Sequence, residues 1–569
     1  MANLIQDKIL YTSQTCLEET FRERYVHRII RTVRHELAEE GDRDWLVDTS
    51  TGASVKLSEV EPTTRRVASG LTRRGFGHGD VLQTGLTSVL GAWGALGAWM
   101  CGGRVSVADP GLELSMIRSQ VEDTGAKVLV CSLEHAEKYA SLVEQMKEEG
   151  CKTLPLLFVL DADENDDLPA GAECFNLLLD DDGLDAPIAD MLPAYDPQEP
   201  VTIFWTSGST GTPKGVVHSQ QNVHLSTFNA DSEEKRLLMT SVFFHVSGFN
   251  IVTIMGLIGS KTVYFIPFGR CTPESCLELI EKYDAQHLVI GVFHYISLSN
   301  LPQDANRQFR SLTKVTPCGG AVSPGITAKV LSLLGKGGRC LNMECYGSTE
   351  CWLVSTITSD NIGVGELGQL RPGVQVYIQD PETEERLGPG ECGKIMVRTR
   401  TMMLGYLNRP EATKEFFDAE GYGYIGDVGY YDEQGNLFFS HRMKDGMKVN
   451  GSWIGPGEIE NVLESEDSIE EAGVWGRYDL NQGTDLINLA IVFKKGAKAW
   501  HEDEIRELVA SRLPESRRIT GSIYYLDSLP HNAVGKKLRM NLPEYCLTHF
   551  KMEDLIKYAL HQDDQKTQL

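Results

Sequence analysis

The sequence predicts an α/β protein with a large, layered N-terminal domain that carries a β-rich subdomain, followed by a small α+β C-terminal domain. Three observations predict it. The 569 residues are 41% hydrophobic and 24% charged, a globular composition on a length that exceeds one hydrophobic core, so two or more domains are expected. From about residue 55 to 345, short apolar runs alternate with helix-like stretches. After Gly390 the texture changes to strands parted by glycine turns.

In chain order, the apolar runs 126–131, 156–160 and 262–266 read as buried strands between helices, the pattern of βα units in a layered domain. The run 89–103 is too short to cross a membrane, and 251–268 is interrupted by Lys261 and two glycines, so both are expected to be buried elements and no transmembrane segment is expected. The acidic stretch 161–190 is expected to be an exposed connection, because its carboxylates are easiest to solvate at the surface. Residues 393–398 and 435–440 read as strands of the β-rich subdomain. Beyond about residue 447, Ile459, Val462 and Leu463 share one helical face, Ile505, Leu508 and Val509 share another, and 486–493 reads as a buried strand. The expected organisation is a large domain over 1–440, a hinge at 441–446 and a small domain with a terminal tail over 447–569.

A formal charge of −26 argues against nucleic acid or an anionic membrane as partner, since long-range repulsion opposes the encounter. An anionic substrate must then meet a local cluster of donors. The N-terminus lacks the basic flank and apolar run of a signal peptide and the Arg-rich pattern of a transit peptide, so cytoplasmic residence is expected. The closing Lys566-Thr567-Gln568-Leu569 is not the Ser-Lys-Leu peroxisomal address. The 13 cysteines are scattered without a C-x-x-C pair, which suggests free thiols and neither zinc nor a disulfide framework. No required protein partner is evident.

The strongest local signal is Thr206-Ser207-Gly208-Ser209-Thr210-Gly211-Thr212-Pro213-Lys214-Gly215, set between the β-like runs 201–205 and 216–218. Glycines let the backbone turn its N–H groups toward one anion, hydroxyls add donors and Lys214 adds charge, a combination suited to a polyphosphate. A Gly/Ser-rich surface turn is the competing reading, against which stand ten consecutive positions that all favour phosphate. The stretch is not a Walker A loop, whose lysine is followed by Ser or Thr and a helix.

It resembles instead the phosphate loop of the adenylate-forming superfamily, which comprises acyl-CoA synthetases, peptide-synthetase adenylation domains and firefly luciferases. Further motifs follow in order. Residues 96–103 with Ala108-Asp109-Pro110 resemble the early glycine-rich motif, and Phe243-Phe244-His245-Val246-Ser247-Gly248-Phe249 resembles the aromatic acyl-pocket motif. Cys318-Gly319-Gly320-Ala321 resembles the segment against adenine, and Tyr346-Gly347-Ser348-Thr349-Glu350 the Y-G-x-T-E signature. Asp427 and Arg442 fall where the family grips the ribose, and Lys536 where it keeps its C-terminal catalytic lysine. In layout the chain is most similar to acyl-CoA or 4-coumarate-CoA-ligase-like enzymes.

The resemblance implies an ATP-dependent carboxylic acid:CoA ligase of fatty or aromatic acid metabolism, using ATP, Mg²⁺ and coenzyme A on a small-molecule carboxylic acid. It implies that Glu350 holds Mg²⁺, Thr349 donates to the α-phosphate, His245 gates the acyl pocket and Lys536 bridges the substrate carboxylate and the phosphate. Each role suits its side chain, because adenylation brings two anions together and depends on positioning and charge neutralisation. Trp352 and Val354 line the acyl pocket or are core packing. The resemblance also implies a small domain that rotates between two half-reactions about Lys444, bringing up a hairpin that includes Lys448 and Gly451. Ile425, His441 and Asn450 depart from the residues common in the family, and altered tuning is expected from them. A luciferase-like oxygenase and a free-standing enzyme that loads a carrier protein share these motifs. Too few residues follow Lys536 for a built-in carrier domain.

Overall fold

The computed structural model describes the chain except for residues 1–2, 13–20, 86–87, 163–165, 207–212, 227–232, 241–242, 268–269, 303–307, 321, 323, 336–339, 360–361, 364, 451, 532–536 and 550–569. Two large sheets organise the N-terminal part. In one, of eight strands, Val81–Thr84, Arg104–Val107, Val128–Ser132, Leu156–Leu160 and Pro200–Trp205 run parallel, and Gly215–Ser219 turns back antiparallel on the last of these. These strands are apolar almost throughout because helices and the second sheet cover both their faces.

The second sheet has fifteen strands and changes character midway. One half is parallel, with Arg236–Met239, Thr262–Phe265, His287–Gly291, Lys314–Cys318 and Leu341–Ser348 as neighbours. The other half is antiparallel and includes Glu366–Leu370, Gln375–Gln379, Gly393–Arg398, Gly423–Tyr431 and Leu437–Arg442. The main core lies between the two sheets, around Trp45, Trp99, Phe204, Phe249 and Val289, and the helix Val89–Met100 contributes much of it. The run beginning at Ile251 becomes a π-helix, Ile251–Ile258, followed by the strand Thr262–Phe265. Lys261 between them is fully buried, and its ammonium donates to the Glu234 carbonyl at 2.6 Å. Among the described residues no helix is long and apolar enough to cross a membrane.

A separate core, built from Met447, Ile459, Leu463, Leu489, Ile505 and Val509 among others, belongs to the C-terminal part. Here the strands Ile469–Asp479, Thr484–Phe493 and Ile523–Tyr525 form one sheet, covered by the helices Pro456–Glu464 and Glu502–Arg512.

The acidic stretch 161–190 lies mostly at the surface, as expected, but it is also anchored to the fold. It is not simply solvated: a short edge strand, Ala172–Cys174, pairs with Leu156–Leu160, and Phe175 and Leu178 are fully buried. Asp181, Asp182 and Asp185 all bind the guanidinium of Arg73, at 2.9, 2.6 and 2.5 Å. Two large apolar side chains pin the segment, and one cation gathers its carboxylates.

Candidate active site

A cleft of about 2110 Å³ opens between the sheets and the C-terminal part, more than the 300–1,000 Å³ usual for one ligand. Thr206, Lys214, His245, Gly319, Gly320, Tyr346, Gly347, Thr349, Glu350, Asp427, Arg442 and Lys444 all line it. Ser207, Gly208, Ser209, Thr210, Gly211, Ala321, Gly451 and Lys536 lie outside the described residues.

The candidate phosphate loop joins two antiparallel strands, Pro200–Trp205 and Gly215–Ser219, and its base is closed by backbone and side-chain bonds. Thr206 N–H donates to the Lys214 carbonyl at 3.0 Å, and Lys214 N–H donates to Thr206 Oγ1 at 3.1 Å. The short strand Gly405–Tyr406 pairs with the far side of this hairpin, Val216 opposite Tyr406. That register sets the Lys214 ammonium 4.9 Å from the Tyr406 ring centre, and the Tyr406 hydroxyl donates to Glu350 Oε1 at 2.8 Å. A cation and a carboxylate thus sit on either side of one phenol, at the mouth of the loop. Burial and the Glu350 carboxylate keep the Tyr406 phenol protonated.

The turn that carries Thr349 and Glu350 follows the strand Leu341–Ser348 and returns as Trp352–Ser359, with a bulge between Tyr346 and Gly347. Trp352 adopts the left-handed region, φ 62°, where an aromatic residue is an outlier. It is held there: the Trp352 indole N–H donates to His218 Nδ1 at 3.0 Å. The other ring nitrogen, Nε2, then carries the proton and donates to the Thr349 carbonyl at 2.8 Å. Burial lowers the His218 pKa to about 4, so the ring stays neutral and keeps this tautomer. Val354 is fully buried in the core beneath the β-rich half of the second sheet, while Trp352 reaches the cleft.

The two candidate ribose-binding residues are cross-strand partners, since Asp427 stands directly opposite Arg442 in the ladder. Arg442 Nε lies 2.7 Å from Asp427 Oδ1, and the Tyr346 hydroxyl donates to Asp427 Oδ2 at 2.9 Å. Asp427 is 3% exposed, and burial with the adjacent carboxylate keeps the Tyr346 phenol protonated. Ile425 packs in the core and its carbonyl accepts from Arg442 Nη1 at 3.4 Å. His441 is buried, its Nδ1 2.9 Å from Ser440 Oγ, and its ring occupies the space a side chain at Gly446 would need.

His245 caps the helix Val246–Asn250, its Nδ1 accepting from Ser247 N–H at 3.3 Å. Beyond it Ile251, Ile254 and Met255 wall an apolar arm of the cleft together with Val289 and Cys318. Gly319 has φ 103°, which turns the backbone at the end of the strand Lys314–Cys318 in a way side chains disfavour.

On the C-terminal side, Lys444 is exposed within the turn Met443–Asp445. Lys537, the residue after Lys536, is 12% exposed and lies among Glu464, Glu460 and Glu471 at 3.2, 3.6 and 3.7 Å. Lys448 is not brought to the cleft: it is exposed on the hairpin Met447–Val449 with Ser452–Ile454 and pairs with Glu382 at 2.9 Å. Asn450, at the turn of that hairpin, has φ 49°, a conformation asparagine tolerates well.

Glu350 is the acidic side chain that Tyr406 links to the loop's lysine. Among the described residues no group of three or more His, Cys, Asp or Glu could hold a metal by itself. That donor set fits Mg²⁺, which is commonly held by one or two carboxylates and completed by substrate phosphates and water.

Sequence reasoning missed Tyr406, His218 and Glu344. Burial pushes the Glu344 carboxyl up to about 7, and it accepts from the Asn342 amide at 2.8 Å while lining the cleft. Its place two residues before Tyr346 was the available signal. For His218 and Tyr406 there was none, because one lies in an apolar strand and the other reaches the loop through long-range pairing.

Known proteins resemble the chain over most of its length. The AMP-binding enzyme model matches residues 33–407, and the model of its C-terminal domain matches 458–536. The chain is 28% identical to 4-coumarate–CoA ligase 3 of Oryza sativa subsp. japonica, over 89% of its own length and 90% of that protein's. It is also 28% identical to a 4-coumarate–CoA ligase of Pinus taeda, over 89% and 92%. Among solved structures, an anthranilate CoA ligase in complex with anthranoyl-AMP superposes with TM-score 0.80 at 19% identity, covering 93% of this chain and 98% of that one. ATP-bound MatB from Rhodopseudomonas palustris gives 0.77 at 22%, over 91% and 98%. The amide bond synthetase McbA from Marinactinospora thermotolerans gives 0.76 at 21%, over 91% and 99%.

Proposed function

The chain belongs to the AMP-binding enzyme family, and from that premise we propose that it is an ATP-dependent carboxylic acid:CoA ligase. In the first step a substrate carboxylate oxygen attacks the α-phosphorus of ATP, the bond to the bridging oxygen breaks, and pyrophosphate leaves. In the second the CoA sulfur attacks the acyl carbonyl, and AMP leaves with the bonding electrons. The observation that carries the reading is the convergence on one cleft of Lys214 with Glu350, through Tyr406, and of Asp427 with Arg442 and Tyr346.

Each group has a task in that chemistry. Lys214 offsets charge on the phosphates, as does Lys536 where the carboxylate and phosphate approach, and such fixed charges act without reorganising during the reaction. Thr349 donates to the α-phosphate, its backbone fixed by His218. Asp427 accepts from the ribose hydroxyls, and Arg442, paired with it, adds donors to the same sugar. Mg²⁺ on Glu350 would neutralise phosphate charge. Gly319, Gly320 and Ala321 border the adenine, and His245 stands at the entry to the acyl arm.

CoA as acceptor is supported by the 4-coumarate–CoA ligases that align over nine-tenths of the chain. We further propose that the segment 441–446 is a hinge centred on Lys444, and that the second step brings the Lys448 hairpin toward the cleft. The test is pyrophosphate release over short, medium, long-chain and aromatic acids, with and without CoA. Acid-dependent release with loss of free CoA thiol is expected. Release that never consumes CoA would overturn the ligase reading, and light output with luciferin and oxygen would favour an oxygenase. Lys536→Ala is expected to abolish ATP–pyrophosphate exchange yet still transfer a supplied acyl-AMP to CoA. Loss of both half-reactions in a folded variant would remove Lys536 from the first step.

A further inference from the structure

Arg371 follows the strand Glu366–Leu370 and lines the cleft. Its guanidinium makes one long hydrogen bond, Nη1 to Thr356 Oγ1 at 3.4 Å. Thr356 stands opposite Cys345 in the ladder, and the Cys345 thiol feels the charge of Arg371. Cys345 and Thr356 share the cleft with Cys318, Val289 and Met255 of the apolar arm. Among the described residues, Arg371 has no carboxylate within ion-pair distance, and burial opposes its charge.

Among the described residues Arg66 and Arg104 also lack a carboxylate within ion-pair distance, but neither lines the cleft. Three other shielded guanidiniums, those of Arg24, Arg43 and Arg539, each hold a carboxylate, from Glu199, Glu36 and Glu460 respectively. An arginine cannot shed its charge, and a desolvated charge is stable only when paired. The planar fork of Arg371 is thus left with unused donors at the wall of a cavity in a protein whose net charge is −26, where a local cation is what an anionic ligand requires.

We propose that Arg371 is a binding site for a second anionic group on the acid substrate, so that the chain prefers acids carrying a distal carboxylate. One carboxylate is adenylated, and the other pairs with the guanidinium through two N–H···O bonds. This rests on the adenylating role proposed above and adds to it a class of substrate. No other cofactor or reactant is called for.

The experiment compares pyrophosphate release for matched acids, hexanoate against adipate and 4-methylbenzoate against terephthalate, in the wild type, Arg371→Met and Arg371→Lys. A charged hydrogen-bonded pair predicts a kcat/KM ratio in favour of the diacid of about 10- to 100-fold. The ratio is expected to collapse in Arg371→Met, chiefly through KM of the diacid, and to be partly kept in Arg371→Lys, which retains charge but not the fork. The ligand-free Tm of Arg371→Met is expected to be no lower than that of the wild type, since an unpaired charge has been removed. Pyrophosphate release without a diacid preference would overturn this proposal alone, as would a large fall in Tm, which would mark the guanidinium as structural. No release with any acid would overturn the adenylating reading and this proposal with it.

Discussion

At the scale of single residues, the Asp427 carboxylate shows how the site keeps a charge nearly out of water. It survives at 3% exposure because Arg442 supplies the counter-charge and Tyr346 a hydroxyl. In Asp427→Asn the half-buried Arg442 loses that counter-charge and a nucleotide loses an ionised acceptor. KM for ATP is expected to rise about 10- to 100-fold, with KM for the acid changed far less. Equal changes in both, measured by ATP–pyrophosphate exchange, would count against a ribose role. A second prediction concerns buried histidines. Burial lowers the pKa values of His218 and His224 to about 4 and of His287 to about 3. On acidification all three therefore bind protons in the unfolded chain, where the ordinary value is about 6.5, before they do so in the folded one. Their contribution is complete above that value and is lost as pH falls toward 4, at about 2 kcal/mol each by pH 5. The Tm is thus expected to fall between pH 7 and 5, and His218→Gln, though less stable at pH 7, is expected to show a shallower fall. Parallel curves would argue that His218 is not held neutral.

At the scale of elements, the turn from Tyr346 to Trp352 is the most constrained piece of the site. A β-carbon on Gly347 would lie 1.9 Å from the Trp352 carbonyl oxygen, so Gly347→Ala must move the backbone that presents Thr349 and Glu350. Overpacking here is expected to cost about 3 kcal/mol or more and to abolish exchange. Gly457→Ala, in the helix Pro456–Glu464 with open space around it, is the control. It is expected to leave stability unchanged or raise it by about 0.5–1 kcal/mol. If both variants unfold alike by urea titration, the strain assigned to the turn is wrong. The strands of the eight-stranded sheet were legible in the sequence because parallel strands covered on both faces leave continuous apolar runs, such as 128–132 and 156–160. The loop between Thr206 and Lys214 stood out in the sequence because the proposed anion binding would constrain consecutive residues. What was hidden depends on distance along the chain. Tyr406 reaches Lys214 only through a two-residue strand that pairs with Val216, and no periodicity announces so short an element. Nor does anything local mark Trp352 as left-handed, since its conformation is imposed by His218 and the bulge. The anchoring of the acidic segment was hidden because its partner, Arg73, is remote in the sequence.

At the scale of the whole molecule, the described contacts of the C-terminal part with the N-terminal part include Lys329 with Asp467 at 2.8 Å and Lys448 with Glu382 at 2.9 Å. Exposed pairs of this kind are worth about 0–1 kcal/mol each, which leaves the orientation free to change if two half-reactions demand it. In the present orientation His531 approaches Phe293, and Lys537 lines the same cleft as Asp427, the proposed ribose-binding residue. That is the orientation proposed for the first step. Rotation can be tested at one contact: a β-carbon on Gly325 would lie 3.9 Å from Cβ of Ser465, within the range of about 3.5–4.5 Å that a disulfide spans. The double variant Gly325→Cys with Ser465→Cys, once oxidised, is expected to keep ATP–pyrophosphate exchange while transfer of the acyl group to CoA falls to background. Dithiothreitol is expected to restore transfer, and neither single cysteine variant should lose it. The natural cysteines are a manageable background because most of the described ones are buried. An oxidised variant that forms the cross-link and still makes thioester at the reduced rate would rule out the rotation, because both steps would then proceed with Gly325 and Ser465 held together.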